Sequence, residues 1–152
     1  MIDNNGAYIF TQGSDEYKSR IITTCQVGKP TTVTDKTQYR TYRFMWDTGA
    51  TMTMISPKIA EELNLKARDK MPVIHGGGGG IMDVYRASIV LPNGFQIPKM
   101  LVGTLFCTEE YDGIIGMDII SHGDFCISGK LNRRTFSFSI PSTLTIDLKG
   151  FE

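Results

Sequence analysis

One acidic residue lies where the surrounding sequence gives no structural reason for a charge. Asp47 stands in the segment FMWDTGATMTMIS, between two apolar runs and directly before Thr48 and Gly49. Burying an ionised carboxylate without partners is strongly unfavourable. The side chain of Asp47 is therefore expected to be hydrogen-bonded or to have a chemical role.

Three explanations for Asp47 remain open at this point. In the first, the side chain caps the backbone of a tight Asx turn, a common use of Asp-x-Gly, and the short tripeptide alone favours this. In the second, Asp47 is a metal ligand, which is the weakest explanation because no His, Cys or acid is clustered near it. In the third, it is a catalytic carboxylate in a dry pocket, where a hydroxyl and backbone amides supply hydrogen bonds.

Two further motifs follow Asp47 in a recognisable order. The loop Asp47–Ala50 follows an apolar strand and precedes a Ser-Pro helix start, a glycine-rich hairpin extends over His75–Ile81, and Ile114–Asp118 reads apolar-apolar-glycine before a helical stretch. In this order and spacing, the chain from about Ile21 to Ile140 resembles the retropepsin-like (retroviral-type) aspartic proteases. The resemblance implies an all-β fold, a closed acid-protease barrel with one or two short helices and a flap hairpin, functional as a homodimer.

The resemblance also implies roles for individual residues. It assigns catalysis to Asp47, Thr48 and Gly49. It assigns substrate binding to Ala50, His75, Gly76, Gly77, Gly78 and Gly79. It assigns structural support of the catalytic loop to Ile114, Ile115 and Gly116. Thr48 is expected to tie two such loops together, and Gly49 to let the backbone approach the reacting water.

Peptide hydrolysis of this type needs two carboxylates that share a water, one as base and one as acid. The chain has ten aspartates, but only Asp47 lies in a D-[T/S]-G setting. A twofold homodimer would supply the second carboxylate. Two carboxylates ~3 Å apart at an effective dielectric of ~20 repel by roughly 5 kcal/mol, so the pair is expected to share one proton.

The expected activity is therefore that of an aspartic endopeptidase acting on extended peptides. Two alternatives stay open: a catalytically silent, dimeric peptide-binding module, or a chain that dimerises only with a partner or within a longer protein. No metal and no organic cofactor is implied.

The run of five glycines, Gly76–Gly80, has its own alternatives. Composition alone favours a flexible linker. The flanking apolar segments, Val73-Ile74 and Ile81–Tyr85, instead favour the tip of a hairpin that opens for a peptide. A phosphate loop is excluded because no Lys-Ser/Thr follows the glycines.

Composition limits the remaining possibilities. Sixteen acids balance sixteen bases in 152 residues, which makes nucleic acid an improbable partner. No apolar run approaches ~20 residues, and the first residues lack a secretory pattern, so no membrane association is expected. The three cysteines, Cys25, Cys107 and Cys126, are predicted to be buried free thiols in a reducing, cytoplasmic compartment.

Alternating segments are the main indication of secondary structure. ITTCQV and YRTYRFMW predict two antiparallel strands, RTFSFSI predicts a late strand, and TLTIDL predicts another near the end. Ser56-Pro57 predicts a helix that ends near Asn64. Residues 1–20 are predicted to be a loosely ordered arm, 21–140 the protease domain, and 141–152 a tail that could supply a dimer-interface strand.

Overall fold

The computed structural model describes residues 1–14, 19–30, 38–105, 108–130 and 133–150. This part of the chain forms ten strands and two short helices. The strands are β1 Tyr8–Ser14, β2 Ile22–Gly28, β3 Arg40–Trp46, β4 Met54–Ile55, β5 Asp69–His75, β6 Gly78–Val90, β7 Gln96–Thr104, β8 Gly113–Ile115, β9 Asp124–Lys130 and β10 Arg133–Ile140. The helices are α1 Pro57–Glu62 and α2 Met117–Ile120. The predicted mostly-β fold with short helices is confirmed.

The strands form two sheets. One has seven strands in the order β2-β3-β8-β4-β7-β6-β5, and the other has three in the order β1-β10-β9. The end strand β2 also pairs with β6 over Gln26–Gly28, so the larger sheet bends back on itself. The short strand β8 lies between β3, to which it is parallel, and β4, to which it is antiparallel.

Alternation along β2 and β3 places the core where the sequence predicted it. Trp46 is at its centre: the indole contacts the rings of β9 and β10, and its Nε1 donates to Thr23 Oγ1 at 2.9 Å. Because the single polar atom of the indole has a partner, the whole ring can be buried at little cost. The core thus joins the two sheets directly behind the end of β3, where Asp47 follows.

Helix α1 forms as predicted. Ser56 is its N-cap and accepts a hydrogen bond from the N–H of Ile59, and Pro57 occupies the first turn, where a missing N–H costs nothing. The helix ends at Glu62, and Asn64 has a positive φ of 48° just beyond it. Its buried residues Ile59 and Ala60 belong to the same hydrophobic core as Ile55 of β4.

The prediction of a loosely ordered N-terminal arm is wrong for Tyr8–Ser14. These residues form β1, which pairs with β10 along its full length. Phe10 packs against Trp46, and the amide of Asn93 donates to the backbone oxygen of Tyr8 at 2.8 Å. Asn93 and β10 are more than eighty residues away in sequence, and no local pattern in the segment reveals such partners.

The predicted strand in TLTIDL is also wrong. Residues 143–147 have no regular structure, and a short 3-10 turn follows at Leu148–Gly150. Leu144, Ile146 and Leu148 are more than half exposed. A strand needs a neighbour for its backbone groups, and no strand in the described part of the chain pairs with this tail.

The start of this tail is nevertheless anchored by one carboxylate. Asp124 accepts hydrogen bonds from the hydroxyls of Ser139 and Ser142 and from the backbone N–H groups of Thr143 and Leu144. Burial alone would raise the pKa of Asp124, but these four donors outweigh it and lower the pKa below its ordinary value of 3.8. The ionised form therefore favours the docked tail.

We expect the tail to detach as the pH falls below about 3.8. A lowered pKa in the docked state means that this stabilisation is complete above the ordinary value and is lost as the pH falls through the lowered one. At neutral pH, Asp124→Asn should make proteolysis of residues 141–150 about fivefold faster, which corresponds to losing about 1 kcal/mol of docking. The control is Asp147→Asn, which removes a tail carboxylate bonded only to Lys149 N–H. Equal protection in both variants would contradict the anchoring role.

Two of the cysteines are free thiols, as predicted. Cys25 is buried, and burial raises its pKa to about 12 despite a hydrogen bond with Thr23, so the thiol is unreactive at neutral pH. Cys126 is only half-buried, because it lies on β9 at the edge of the smaller sheet. Cys107 lies outside the described residues. In the part of the chain that is described, no helix has the length and apolar character needed to cross a membrane.

Candidate active site

Asp47 is the first residue after β3, and its own loop holds it. Its N–H donates to the carbonyl of Ile115 at 3.0 Å, and its carbonyl accepts from the N–H of Ala50 at 3.2 Å. Its carboxylate Oδ1 accepts from the N–H of Gly49 at 2.8 Å. The local geometry is therefore the predicted Asx turn. Among the described residues nothing bonds to Oδ2, so capping uses only half of the carboxylate.

The expectation that Asp47 lies in a dry pocket is wrong for the single chain. Asp47 and Ala50 are half-buried, and Thr48 and Gly49 are exposed. Trp46 before the loop and Ile55 beyond it are buried in the core, but the loop itself lies at an open face. Any dry surround for this carboxylate has to come from something that covers that face.

Gly49 lies unusually close to the carboxylate. A Cβ at this position would be 3.1 Å from Asp47 Oδ1, tighter than nearly all real Cβ contacts. A side chain here would push the carboxylate away from the backbone that bonds it. Glycine therefore allows this close approach between backbone and carboxylate. The predicted approach of the Gly49 backbone to a reacting water stays a prediction.

The two motifs joined by sequence reasoning meet in the structure. Met45 and Trp46 of β3 pair with Ile114 and Ile115 of β8 in parallel register. Ile114, Ile115 and Gly116 are all buried. The apolar-apolar-glycine segment thus forms the strand beside the one that delivers Asp47.

A second set of hydrogen bonds, which the sequence analysis missed, fixes the far side of the loop. Thr53 is fully buried, and its N–H and Oγ1 donate to the two carboxylate oxygens of Asp118 at 2.9 and 2.7 Å. Thr53 Oγ1 also accepts from the N–H of Gly116 at 3.1 Å, and the N–H of Met117 donates to the carbonyl of Ala50 at 2.8 Å. The only sequence signal was a pair of polar residues in apolar surroundings.

The predicted glycine hairpin is confirmed as strands β5 and β6. His75 pairs with Gly78 to close the hairpin, with the turn at Gly76 and Gly77. Gly78 has a φ of +122°, which only glycine adopts without strain. The linker interpretation is therefore wrong. The tip, Gly76–Gly80, is exposed.

The base of the hairpin, in contrast, approaches the Asp47 loop through two methionines. A Cβ on Gly103 of β7 would be 2.7 Å from the sulfur of Met82 and 3.4 Å from that of Met52. Met82 comes from β6, and Met52 comes from the segment between Asp47 and β4. Because Gly103 has no side chain, the flexible side chains of both methionines fit beside it.

The other acids near these elements have partners of their own. Asp118 is held by Thr53, Asp112 accepts from the N–H of Arg43 at 3.0 Å and lies 3.8 Å from Lys58, and Asp83 lies 3.9 Å from Lys70. In the described ranges, no three His, Cys, Asp or Glu side chains form a group that could hold a metal ion. Asp47 therefore differs from these acids in that, among the described residues, its carboxylate bonds to a backbone N–H and to no side chain.

Comparison with known protein families identifies the family that contains this loop. The sequence model of the aspartyl protease family matches residues 30–119, which is more than half of the chain and includes both Asp47 and Gly116. The chain belongs to the aspartyl protease family. Its retropepsin-like character, predicted from the sequence, is confirmed. No curated protein matches the sequence of this family member significantly.

Solved structures of the same family show how its fold compares. A retropepsin-like aspartic protease from Rickettsia conorii aligns with a TM-score of 0.54 at 10% identity, over 88% of this chain and 95% of that chain. The EIAV protease complexed with the inhibitor HBY-793 aligns with a TM-score of 0.48 at 18% identity, over 68% and 88%. The retroviral protease-like domain of Ddi1 from Leishmania major aligns with a TM-score of 0.46 at 17% identity, over 72% of this chain and 82% of that chain. The first of these similarities supports the retropepsin-like fold.

Proposed function

We propose that this family member is an aspartic endopeptidase, active as a homodimer in which the two Asp47 side chains meet. The observation that carries the proposal is the carboxylate of Asp47, half-buried at an open face with Oδ2 unoccupied by any described residue. One such carboxylate cannot serve as both base and acid. A second copy related by a twofold axis supplies the other and covers the open face.

The chemistry follows from the charge of the pair. The two carboxylates repel, so they hold one proton between them at mildly acidic pH. The ionised one takes a proton from the bound water as it attacks the peptide carbonyl, and the protonated one donates to the developing oxyanion. The hydrogen bond from Gly49 N–H keeps Oδ1 in place, which leaves Oδ2 to face the water. Thr48, exposed beside it, is placed to contact the partner loop.

The substrate binds extended, between the two Asp47 loops and the glycine hairpin, which serves as a flap. Ala50 contributes to the floor of the cleft. His75 and Gly76–Gly79 form the covering tip, where backbone groups without side chains can bond the peptide main chain. Met82 of the hairpin and Met52 of the loop segment both lie beside Gly103, at the base of this cover.

The dimer also accounts for the tail. Residues 141–152 follow the protease domain, 21–140, to which β1 adds a strand. The tail alternates polar residues with Leu144, Ile146 and Leu148, all exposed in the single chain. A strand from a second copy would give these residues both the backbone partners and the burial that one chain lacks. The anchoring of Thr143 by Asp124 would then set the direction in which the tail leaves the body.

Concentration dependence tests the proposal. If two chains form one site, the cleavage rate per chain on an unfolded protein substrate should rise with total chain concentration and level off once sedimentation shows a dimer. Chains that sediment as monomers with a constant rate per chain would contradict the shared site. Dimers that bind peptides and never cleave them would support the silent peptide-binding module instead.

A further inference from the structure

A second concave region lies away from Asp47, at the base of the glycine hairpin. This pocket, named here the basic pocket, has a volume of about 350 Å³ and is lined by Lys29, Pro30, Asn64, Leu65, Lys66, Arg68 and Arg86. Pockets of 300–1,000 Å³ are typical of small-ligand and side-chain binding sites. Nothing in the proposed cleavage chemistry uses it.

The charge of the basic pocket is one-sided. Four of its seven lining residues are cationic, and none is acidic. The whole chain has a formal net charge of zero, so this is a local excess and not the effect of a basic protein. Among the described residues, the ion pairs involve other cations, namely Arg20, Arg40, Lys58 and Lys70. Like charges gathered in a concavity repel one another and attract an anion.

Three separate elements bring these cations together. Lys29 directly follows Gly28, which pairs with Ser88 at the end of β2. Arg68 lies just before β5, and its N–H donates to Val84 of β6 at 2.7 Å. Arg86 lies on β6 itself. The backbone positions of the cations are therefore fixed by sheet pairing and do not depend on a bound anion.

The fourth cation comes from the turn after α1. Leu65 N–H donates to the carbonyl of Ala60 at 2.8 Å, and Asn64 before it has a positive φ. This tight turn directs Lys66 back toward the hairpin base. Leu65 and Pro30 add apolar surface between the charges.

From this arrangement we propose that the basic pocket binds an acidic segment of a polypeptide substrate, through its carboxylates, outside the cleft. At about 350 Å³, the pocket is larger than a single inorganic anion. An acidic segment carries several carboxylates spaced along one chain, which match the several cations of the pocket. The CH₂ groups of its Glu and Asp side chains match the apolar surface of Leu65 and Pro30. Arginine binds carboxylates in a bidentate manner. Because Nη1 of Arg86 already donates to the carbonyl of Lys99 at 3.2 Å, Arg68 is the main contact. This inference rests on the proposed function, because the acidic polypeptide is taken to be the substrate that the protease cleaves.

Binding is measured first, independently of cleavage. Hexaglutamate is titrated by calorimetry into the wild type and into Lys66→Gln/Arg68→Gln, with Lys58→Gln/Lys149→Gln as a control of equal net charge. We expect the pocket variant to weaken binding at least about tenfold and the control to change it less than about twofold, as for exposed surface charges. Equal weakening in both variants, absence of hexaglutamate binding, or binding of pyrophosphate in its place would overturn the proposal. Circular dichroism confirms that each variant is folded.

Cleavage is measured second, with one peptide substrate made with and without an acidic extension. The extension should lower KM about tenfold in the wild type, should not do so in Lys66→Gln/Arg68→Gln, and should leave kcat unchanged in both. An equal KM for the two substrates in the wild type would overturn the role in substrate binding. If the chain cleaves neither substrate, the proposed function fails, while the calorimetric result still decides whether the pocket binds acidic peptides.

Discussion

Replacing Asp47 by Asn is expected to lower the rate of peptide cleavage by at least about 10³-fold, because general acid–base catalysis alone contributes about 10²–10⁴-fold and both copies lose their carboxylate. The fold should be retained. Asn has nearly the same shape as Asp, and its side-chain oxygen can still accept the hydrogen bond from Gly49 N–H, which holds the loop. Cleavage kinetics and thermal unfolding of the same preparation measure the two effects separately.

The chain offers a matched control for this substitution. Asp3 also accepts, through Oδ1, from the N–H two residues on, that of Asn5, at 2.9 Å. It lies outside the protease domain, so Asp3→Asn should leave the cleavage rate unchanged. A rate in Asp47→Asn close to that of the control would show that Asp47 has only a capping role.

Mixing experiments extend this test to the shared site. An excess of Asp47→Asn chains should inhibit the wild type, because each mixed dimer has only one carboxylate and cannot act as both base and acid. If the cleavage rate per wild-type chain stays the same when Asp47→Asn chains are added, one chain forms a complete site.

Replacing Gly116 by Ala is expected to destabilise the fold by roughly 3 kcal/mol, at the upper end of overpacking effects. A Cβ at this position would lie 2.6 Å from the carbonyl carbon of Met52 and 3.0 Å from the carbonyl oxygen of Ala50. These are backbone atoms of the Asp47 loop, so no side-chain rotation can relieve the contact. The melting temperature should fall by about 6–12 °C for a chain of this size.

Gly13→Ala is the control, because a Cβ on Gly13 of β1 has nothing within 4 Å. It should change the stability by less than about 1 kcal/mol. Unchanged stability in Gly116→Ala would mean that the loop can shift without cost. In that case the support role of the apolar-apolar-glycine segment would be wrong.

Local signals account for the part of the fold that could be predicted. Burial that alternates within β2, β3 and β10 requires only neighbouring residues, and the start of α1 is determined by Ser56 and Pro57. The strand β1 could not be predicted, because its partner β10 is at the other end of the chain: Thr11 bonds to Ser137, 126 residues away. A pattern of Tyr8 and Phe10 alone does not specify such a partner.

The candidate site also has residues that could be predicted from local sequence and residues that could not. Asp47, Gly49 and Gly116 could be named because their spacing forms motifs. The bonds between Thr53 and Asp118 join positions 65 residues apart, and a polar residue in apolar surroundings does not reveal which distant residue is its partner. The exposure of Asp47 could not be predicted either, because the apolar residues beside it are buried whether or not the loop faces solvent.

The three residues of β8 have a mechanical consequence for the carboxylate. Since β8 bonds to β3 on one edge and to β4 on the other, the strand that enters the Asp47 loop and the strand that leaves it share a single anchor. Neither end can slide without the other, so the loop shifts only as a rigid unit. In an assembly where two such carboxylates must come within a few ångströms of each other, the orientation of each is determined within its own chain. The contact between the copies then needs only to bring two preformed loops together.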